Sequence, residues 1–266
     1  MKKIKCLVAT KCEELDDAAR IRYEVLAKEQ RLFDPVRHAI PREVDALDTL
    51  PTTKHFLAYV DEAPVGTGRM ILPNAEVALA TKTIFGFDIE SKFVLENLVR
   101  PGMRIAETMR YCVLPAARNL PVAAALVQEG LRFSHEFGIT HWLGSATMET
   151  SDPANAARIA AVAAEKGFVD HDALILPRQT ISPKGPTDEA AFGSSSCGLP
   201  TVPPSNTDVP RVLFMYLRRL KARIIGPPTY DTRFRGYSIP ILIAVADQKH
   251  WTDELTRSPQ PSPIAA

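Results

Sequence analysis

The sequence predicts an α/β domain in which a mixed central sheet is flanked by helices. Three observations carry this. Segments of period two and period 3.6 follow one another in the order β-α-ββ-β-α-β-α-β, the signature of mixed layers rather than of a bundle or a sandwich. The 266 residues are 45% hydrophobic and 24% charged, an ordinary globular composition with enough apolar side chain for one large core. The 22 prolines are bunched rather than scattered through the patterned segments.

Taken in order, Ile4–Ala9 suits a first strand and Glu13–Arg31 a first helix. His55–Val60 and Val65–Leu72 alternate around Asp61-Glu62-Ala63-Pro64 and read as a β-hairpin. Arg104–Val113 is the next strand. Val122–Phe137 is a helix with Val122, Leu126, Phe133 and Phe137 on one stripe, and with Gly130 where a neighbour can pack closely. Thr140–Ala146 is a strand, Ala154–Lys166 an alanine-rich helix ending at Gly167, Arg211–Arg223 a basic helix and Tyr237–Val245 a buried last strand. Residues 177–210 hold seven prolines, three glycines and five serines in 34 positions and keep neither period. They are expected to form an insertion outside the core. The expected organisation is thus one domain over 1–250, interrupted by 177–210, with a disordered tail over 251–266.

Composition excludes several functions. A net charge of +1 and a pI near 7.7 are not those of a dedicated nucleic-acid binder. The longest apolar run, Ile239–Ala246, is eight residues broken by Pro240, against the roughly 20 needed to span a bilayer. The apolar part of Met1–Ala9 is too short for a signal sequence. The four cysteines (6, 12, 112 and 197) include no CxxC and no zinc-ligand spacing, so no metal is expected and the thiols read as reduced, in a cytoplasmic protein.

Charges stand where a core is expected. On a helix over Glu13–Arg31, the ridge neighbours of Arg22 are Ala18, Ala19, Val25 and Leu26. A guanidinium in an apolar stripe is costly unless carboxylates meet it, and Glu43, Asp45 and Asp48 follow soon after. Arg69 lies mid-strand after Gly66-Thr67-Gly68. Glu107 and Arg110 share a further strand, where regular alternation puts them on opposite faces unless a β-bulge intervenes. Three arginines and four acids in buried-looking positions point to a polar site inside the fold.

The strand–turn–helix junction Val113-Leu114-Pro115-Ala116-Ala117-Arg118-Asn119-Leu120-Pro121-Val122-Ala123 resembles the donor-binding signature V-x-P-x-x-R-x-x-G-x-G/A of the GNAT acyltransferases. Val113, Pro115, Arg118 and Ala123 match it, and Pro121 replaces the first glycine. Arg22, the E-x-D-x-x-D set (Glu43, Asp45, Asp48), Arg69 and the E-x-x-R pair (Glu107, Arg110) resemble, in order and spacing, the acyl-homoserine-lactone (autoinducer) synthases and the long-chain N-acyl amino acid synthases. The stretch Tyr216–Phe234 is similar to ornithine lipid acyltransferases, with Met215 in place of a glycine.

The resemblance implies a GNAT-like mixed sheet with a V-shaped opening between its two central strands, where a fatty acyl thioester lies. It implies a phosphopantetheine-linked donor, acyl carrier protein or acyl-CoA, held at Val113, Arg118, Asn119 and Ala123, with no tightly bound cofactor. Pro121 offers no N–H, which favours the single phosphate of a carrier protein over a pyrophosphate. The acceptor is a small-molecule amine. Glu107 is the expected base, and Arg22, Arg69, Arg110, Glu43, Asp45 and Asp48 order the acceptor side. The leading product is an N-acyl amino acid. The alternatives are a lactone made from S-adenosylmethionine, and a non-catalytic module that binds acyl carrier protein.

Lesser features have plainer readings. Arg211–Arg223 carries five positive residues and no negative one, suiting acyl carrier protein or a peripheral contact with the inner membrane, or simply a solvated basic face. Cys112 reads as a packed residue rather than a nucleophile, and Trp142 as core beside an acyl tunnel. Ser194–Ser196 has no nucleophile-elbow context.

Overall fold

The computed structural model describes residues 2–32, 40–178, 209–248 and 251. Most of the expected insertion (179–208, with Ser194–Ser196 and Cys197) and the tail from 252 lie outside the described residues.

The chain opens with β1 (Ile4–Val8) and α1 (Cys12–Arg22), and winds on through a π-helical stretch, Tyr23–Glu29. The expected helix over Glu13–Arg31 is therefore divided: beyond Arg22 the winding widens, and the Gln30 amide reaches back five residues to the Val25 carbonyl at 2.9 Å. A short 3-10 turn, Ala46–Thr49, precedes β2 (Thr53–Val60) and β3 (Ala63–Ile71). Asp61 and Glu62 join these strands with φ of 49° and 69°, the left-handed pair that matches a two-residue hairpin to strand twist.

Next come α2 (Ala75–Thr81), the 3-10 turn Asp88–Ser91, β4 (Phe93–Val94) and β5 (Ile105–Val113). The second half holds α3 (Val122–Phe137), β6 (His141–Thr147), α4 (Pro153–Glu165) and β7 (Leu176–Pro177). It continues with α5 (Arg211–Arg219), β8 (Arg223–Ile224), β9 (Thr229–Asp231) and β10 (Gly236–Ala244). The helix expected over Arg211–Arg223 stops at Arg219, because Lys221 turns left-handed (φ 49°) and Arg223–Ile224 joins the sheet beside β10.

The main sheet runs β1-β2-β3-β5-β6-β10-β8, with β9 on β10, and is antiparallel except for β5 and β6. Both faces are covered. On one, Phe56, Met70, Ala106 and Trp142 meet Val122, Leu126 and Phe133 of α3. On the other, Leu57 and Cys112 meet Ala18, Ile21, Val25 and Leu26. Further along that sheet, Ile71, Ile105 and Leu143 pack on Phe87, Ile89 and Phe93. Gly66 makes the first arrangement possible, since a Cβ there would come within 2.7 Å of Val122 Cγ1.

Two irregularities of β5 shape the middle of the sheet. It pairs with β6 only at Ile105↔His141, Ala106↔Trp142 and Glu107↔Leu143; beyond them the strands part. On its other edge the register slips by one. Arg69 faces Met109 but Thr67 faces Cys112, so Arg110 and Tyr111 together oppose Gly68. This is a β-bulge with Arg110 at φ 58°, and Gly68 leaves room for the Tyr111 ring, which a Cβ would meet at 2.8 Å.

Candidate active site

The polar site forms where α1, β2, β3 and the bulged end of β5 converge. Arg22 leaves the last turn of α1 and is 1% exposed; Arg69 leaves β3 and is fully buried. The carboxylates reach them on one well-tied loop. The Glu43 amide bonds the Ala19 carbonyl at 3.1 Å, and Thr53 Oγ1 donates to the Leu47 carbonyl at 2.6 Å. Asp45 and Asp48 cap the turn between them reciprocally: Asp45 Oδ1 accepts from the Leu47 amide at 2.9 Å, and Asp48 Oδ2 from the Asp45 amide at 2.8 Å. The spacing of these acids therefore follows from the geometry of a single 3-10 turn.

The contacts are two-point wherever the fork of arginine allows. Arg22 gives Nη1 and Nη2 to the two oxygens of Asp48, both at 2.9 Å, and Nη2 also to the Glu43 carbonyl at 2.6 Å. Its Nε lies 2.7 Å from Glu43 Oε2, an ion pair without hydrogen-bond alignment. Arg69 meets both oxygens of Asp45 at 2.8 and 2.9 Å, Asp48 Oδ1 at 2.8 Å and the Met109 sulfur at 2.7 Å. Arg110 brings Nε to Glu43 Oε1 at 3.1 Å and Nη2 to within 3.6 Å of Asp45 Oδ2. Six of the seven charged residues singled out in the sequence thus form one network of three guanidiniums and three carboxylates.

His55 is a member that sequence reasoning missed. It sits across from Arg69 in the β2–β3 register, its Nδ1 3.4 Å from Arg22 Nη1 and its Nε2 3.6 Å from Asp48 Oδ1. A register shift between Ala58 and Tyr59 sets that pairing, which the regular register of a two-residue hairpin would not give. Burial, reinforced by Arg22, pushes its pKa down to about 4, so it is neutral and adds no charge to a balanced set. Burial opposes the charge of Asp48 too, but Arg22 and Arg69 overcome it and hold that carboxyl at about 2.

Glu107 stands apart from this network. Its oxygens accept the amides of Asp88 at 2.7 Å and Ile89 at 3.0 Å, clamping the 88–91 turn against β5. Arg110, the other member of the E-x-x-R spacing, pairs with Glu43 instead: the bulge falls at Arg110 and Tyr111, and turns Arg110 toward Glu43 and Asp45. Burial and the neighbouring Asp88 raise the Glu107 pKa to about 8, against the pull of the two amides. Glu90, also absent from the sequence reading, is buried beside it and accepts the amides of Ile84, Phe85 and Phe87 at 2.7 to 3.2 Å.

The Val113–Ala123 junction has the expected strand–turn–helix form. Pro115–Ala117 makes a 3-10 turn, and Pro121 precedes the first residue of α3 rather than occupying it. Among the described residues, the amides of Ala123 and Ala124 have no hydrogen-bond partner, the usual state of a first helical turn, and neither has that of Asn119 in the turn before it. Arg118 turns back: Nε reaches the Val113 carbonyl at 3.0 Å, and Nη1 and Nη2 reach Glu29 at 2.5 and 2.6 Å. Cys112 is 1% exposed and burial pushes its thiol up to about 12, far from a nucleophilic thiolate. Trp142 is core, its indole N–H donating to Ser134 Oγ at 2.8 Å.

Among the described residues no group of His, Cys, Asp and Glu has the arrangement of a metal site, and no helix is long and apolar enough to cross a membrane. The exposed side of α5 carries Arg211, Arg218 and Arg219 with Val212, Phe214 and Met215, while Leu213 and Leu217 are buried.

Residues 17–149 match the family model of the N-acyl amino acid synthase FeeM. In fold the chain is similar to FeeM, an N-acyl amino acid synthase from uncultured soil microbes, at 12% identity, 97% and 98% coverage of the two chains and a TM-score of 0.50. It is also similar to BjaI, a CoA-dependent acyl-homoserine lactone synthase solved with MTA, at 14% identity, 100% and 96% coverage and a TM-score of 0.52. No curated protein matches the chain in sequence. The expected GNAT-like architecture, a mixed sheet with flanking helices, is the one observed.

Proposed function

Because this chain belongs to the FeeM family of N-acyl amino acid synthases, and so to the acyltransferases, we propose that it moves a medium- or long-chain fatty acyl group to the amine of an amino acid. The observation that carries this reading is the parting of β5 from β6 after three residue pairs, with the bulge at Arg110 on the open stretch. Backbone groups released from pairing there can meet a thioester carbonyl, and the charged network borders the same stretch.

The donor is a phosphopantetheine thioester, carried by acyl carrier protein in preference to coenzyme A. Val113, Arg118, Asn119 and Ala123 frame its phosphate. Two unpartnered amides at the start of α3 and that of Asn119 before it suit one phosphate, while Pro121 withholds a fourth and Glu29 already engages Arg118. The basic, partly apolar outer face of α5 is the docking face for that acidic carrier, in preference to an anionic membrane.

In the reaction the acceptor nitrogen attacks the thioester carbon, a C–N bond forms, the C–S bond breaks, and the thiolate leaves with the proton the amine gave up. Glu107 takes that proton directly or through water and passes it on to the leaving sulfur, a role supported by a proton affinity raised toward neutral pH. Arg110, backed by Glu43 and Asp45, faces the acceptor's carboxylate, while Arg22, Arg69 and Asp48 hold the loop that carries those acids. Loss of the base in Glu107→Gln should lower turnover about 10²- to 10⁴-fold.

The test is a product assay by mass spectrometry, with C8 to C18 acyl carrier proteins and acyl-CoAs as donors. The twenty amino acids, ornithine and S-adenosylmethionine serve as acceptors. An N-acyl amino acid is the expected product. A lactone with methylthioadenosine would move the chain to the autoinducer synthases, and carrier binding without product would make it a binding module.

A further inference from the structure

The turn between β9 and β10 lies outside the stretch that matches the family, yet it touches both halves of the site. The Phe234 ring covers the Arg110 guanidinium, 4.8 Å from ring centre to Cζ, and lies 5.7 Å from that of Arg233. Arg233 grips both oxygens of Asp88 at 2.9 and 2.6 Å, and the Asp88 amide is one of the two that clamp Glu107. Asp231 closes the turn by accepting the amides of Arg233 at 2.8 Å and Phe234 at 3.3 Å, and pairs with Lys92. The turn is therefore braced on Lys92 at one end and on Asp88 at the other, and its aromatic ring is a fixed plate.

Arg110 is the cation this plate meets. The bulge holds its backbone in the left-handed region, Glu43 holds Nε at 3.1 Å and Asp45 Oδ2 lies 3.6 Å from Nη2; these contacts act at the edges of the guanidinium, and the ring acts on its face. A cation over an aromatic face is attracted by the ring quadrupole, and the attraction strengthens where water is excluded; the Arg110 side chain is only 6% exposed.

We propose that Phe234 is a positioning residue for acyl transfer: it fixes the guanidinium plane of Arg110, and the turn 231–234 thereby governs how tightly an amino-acid acceptor is held. This rests on the acyltransferase reading above. The chemical class recognised is an amine that bears a carboxylate, since that is the group a fixed guanidinium discriminates. Simple alkylamines gain nothing from it.

The experiment compares Phe234→Leu, Phe234→Tyr and Arg233→Met with the wild-type chain, in steady-state acyl transfer with donor and acceptor varied separately. In Phe234→Leu the acceptor KM should rise about five- to tenfold, the loss expected for one partly desolvated cation–π contact. The donor KM and the melting temperature should stay near wild type, and Phe234→Tyr should restore the acceptor KM. Arg233→Met, which releases the turn from Asp88 and alters only a half-exposed side chain, should raise the acceptor KM in the same direction. An unchanged acceptor KM in Phe234→Leu and Arg233→Met would overturn the proposal, as would a joint change of both KM values with a lowered melting temperature. A wild-type chain that transfers no acyl group would sink the underlying reading, and the proposal with it.

Discussion

At the scale of single residues, the site is governed by how completely its charges neutralise one another. Asp48 serves two arginines at once, so Asp48→Asn leaves a buried cluster with one positive charge too many. Breaking a buried pair on one side costs about 3–5 kcal/mol, and a shift of the urea midpoint with loss of turnover should show it. Cys112 gives the opposite expectation. With its thiol pushed up to about 12, Cys112→Ala should keep turnover and lose only packing, and wild-type turnover should survive alkylating reagents at neutral pH. The arginines were legible in the sequence because a guanidinium among Ala18, Ala19, Val25 and Leu26 violates the patterning of a helix. Phe234 was not, because an aromatic residue in a turn breaks no rule, and its partner lies more than 100 positions away in the chain.

Among elements, β5 decides the most. Its existence follows from the residue pattern, and the Glu107–Arg110 spacing raised the expectation of a bulge between them. Where the extra residue falls did not follow from either, since the slip depends on Gly68 of β3 and on the room it leaves for Tyr111. Gly68→Ala would drive a Cβ to 2.8 Å from that ring, and overpacking of this kind costs about 1–3 kcal/mol. Thermal unfolding should register the loss, and turnover should fall with it as the bulge shifts. The turn before α3 is a second test. Pro121→Gly supplies the missing N–H, so the KM for acyl-CoA should fall relative to that for acyl carrier protein, although the freer backbone costs about 0.4–1 kcal/mol of stability. The short elements β4, β7, β8 and β9 were invisible in advance: two or three residues carry too little periodicity to read.

For the whole molecule, two buried groups set the pH response. Glu107 has its pKa raised from 4.5 to about 8, so its contribution to stability is complete below pH 4.5 and is lost as pH climbs toward 8. His55 has its pKa lowered from 6.5 to about 4, so its contribution is complete above pH 6.5 and is lost as pH falls toward 4. From 4.5 to 6.5 the two one-proton slopes cancel. From 6.5 to 8 the slope of Glu107 stands alone, about 1.4 kcal/mol per pH unit. Urea unfolding should therefore give a plateau followed by a decline, and Glu107→Gln should remove the decline. The fold class and its long elements could be read from alternating patterns, as could the six charges that the structure gathers. The joining of the C-terminal turn to that site could not, because it depends on which strands become neighbours. The parting of β5 and β6 has a mechanical side as well. Four strands stand on the β5 side of the junction and four on the other, and within the sheet the ladder that joins them is three residue pairs long. Tension applied across the sheet would fall first on those three pairs, at the parting where the acyl thioester is proposed to lie.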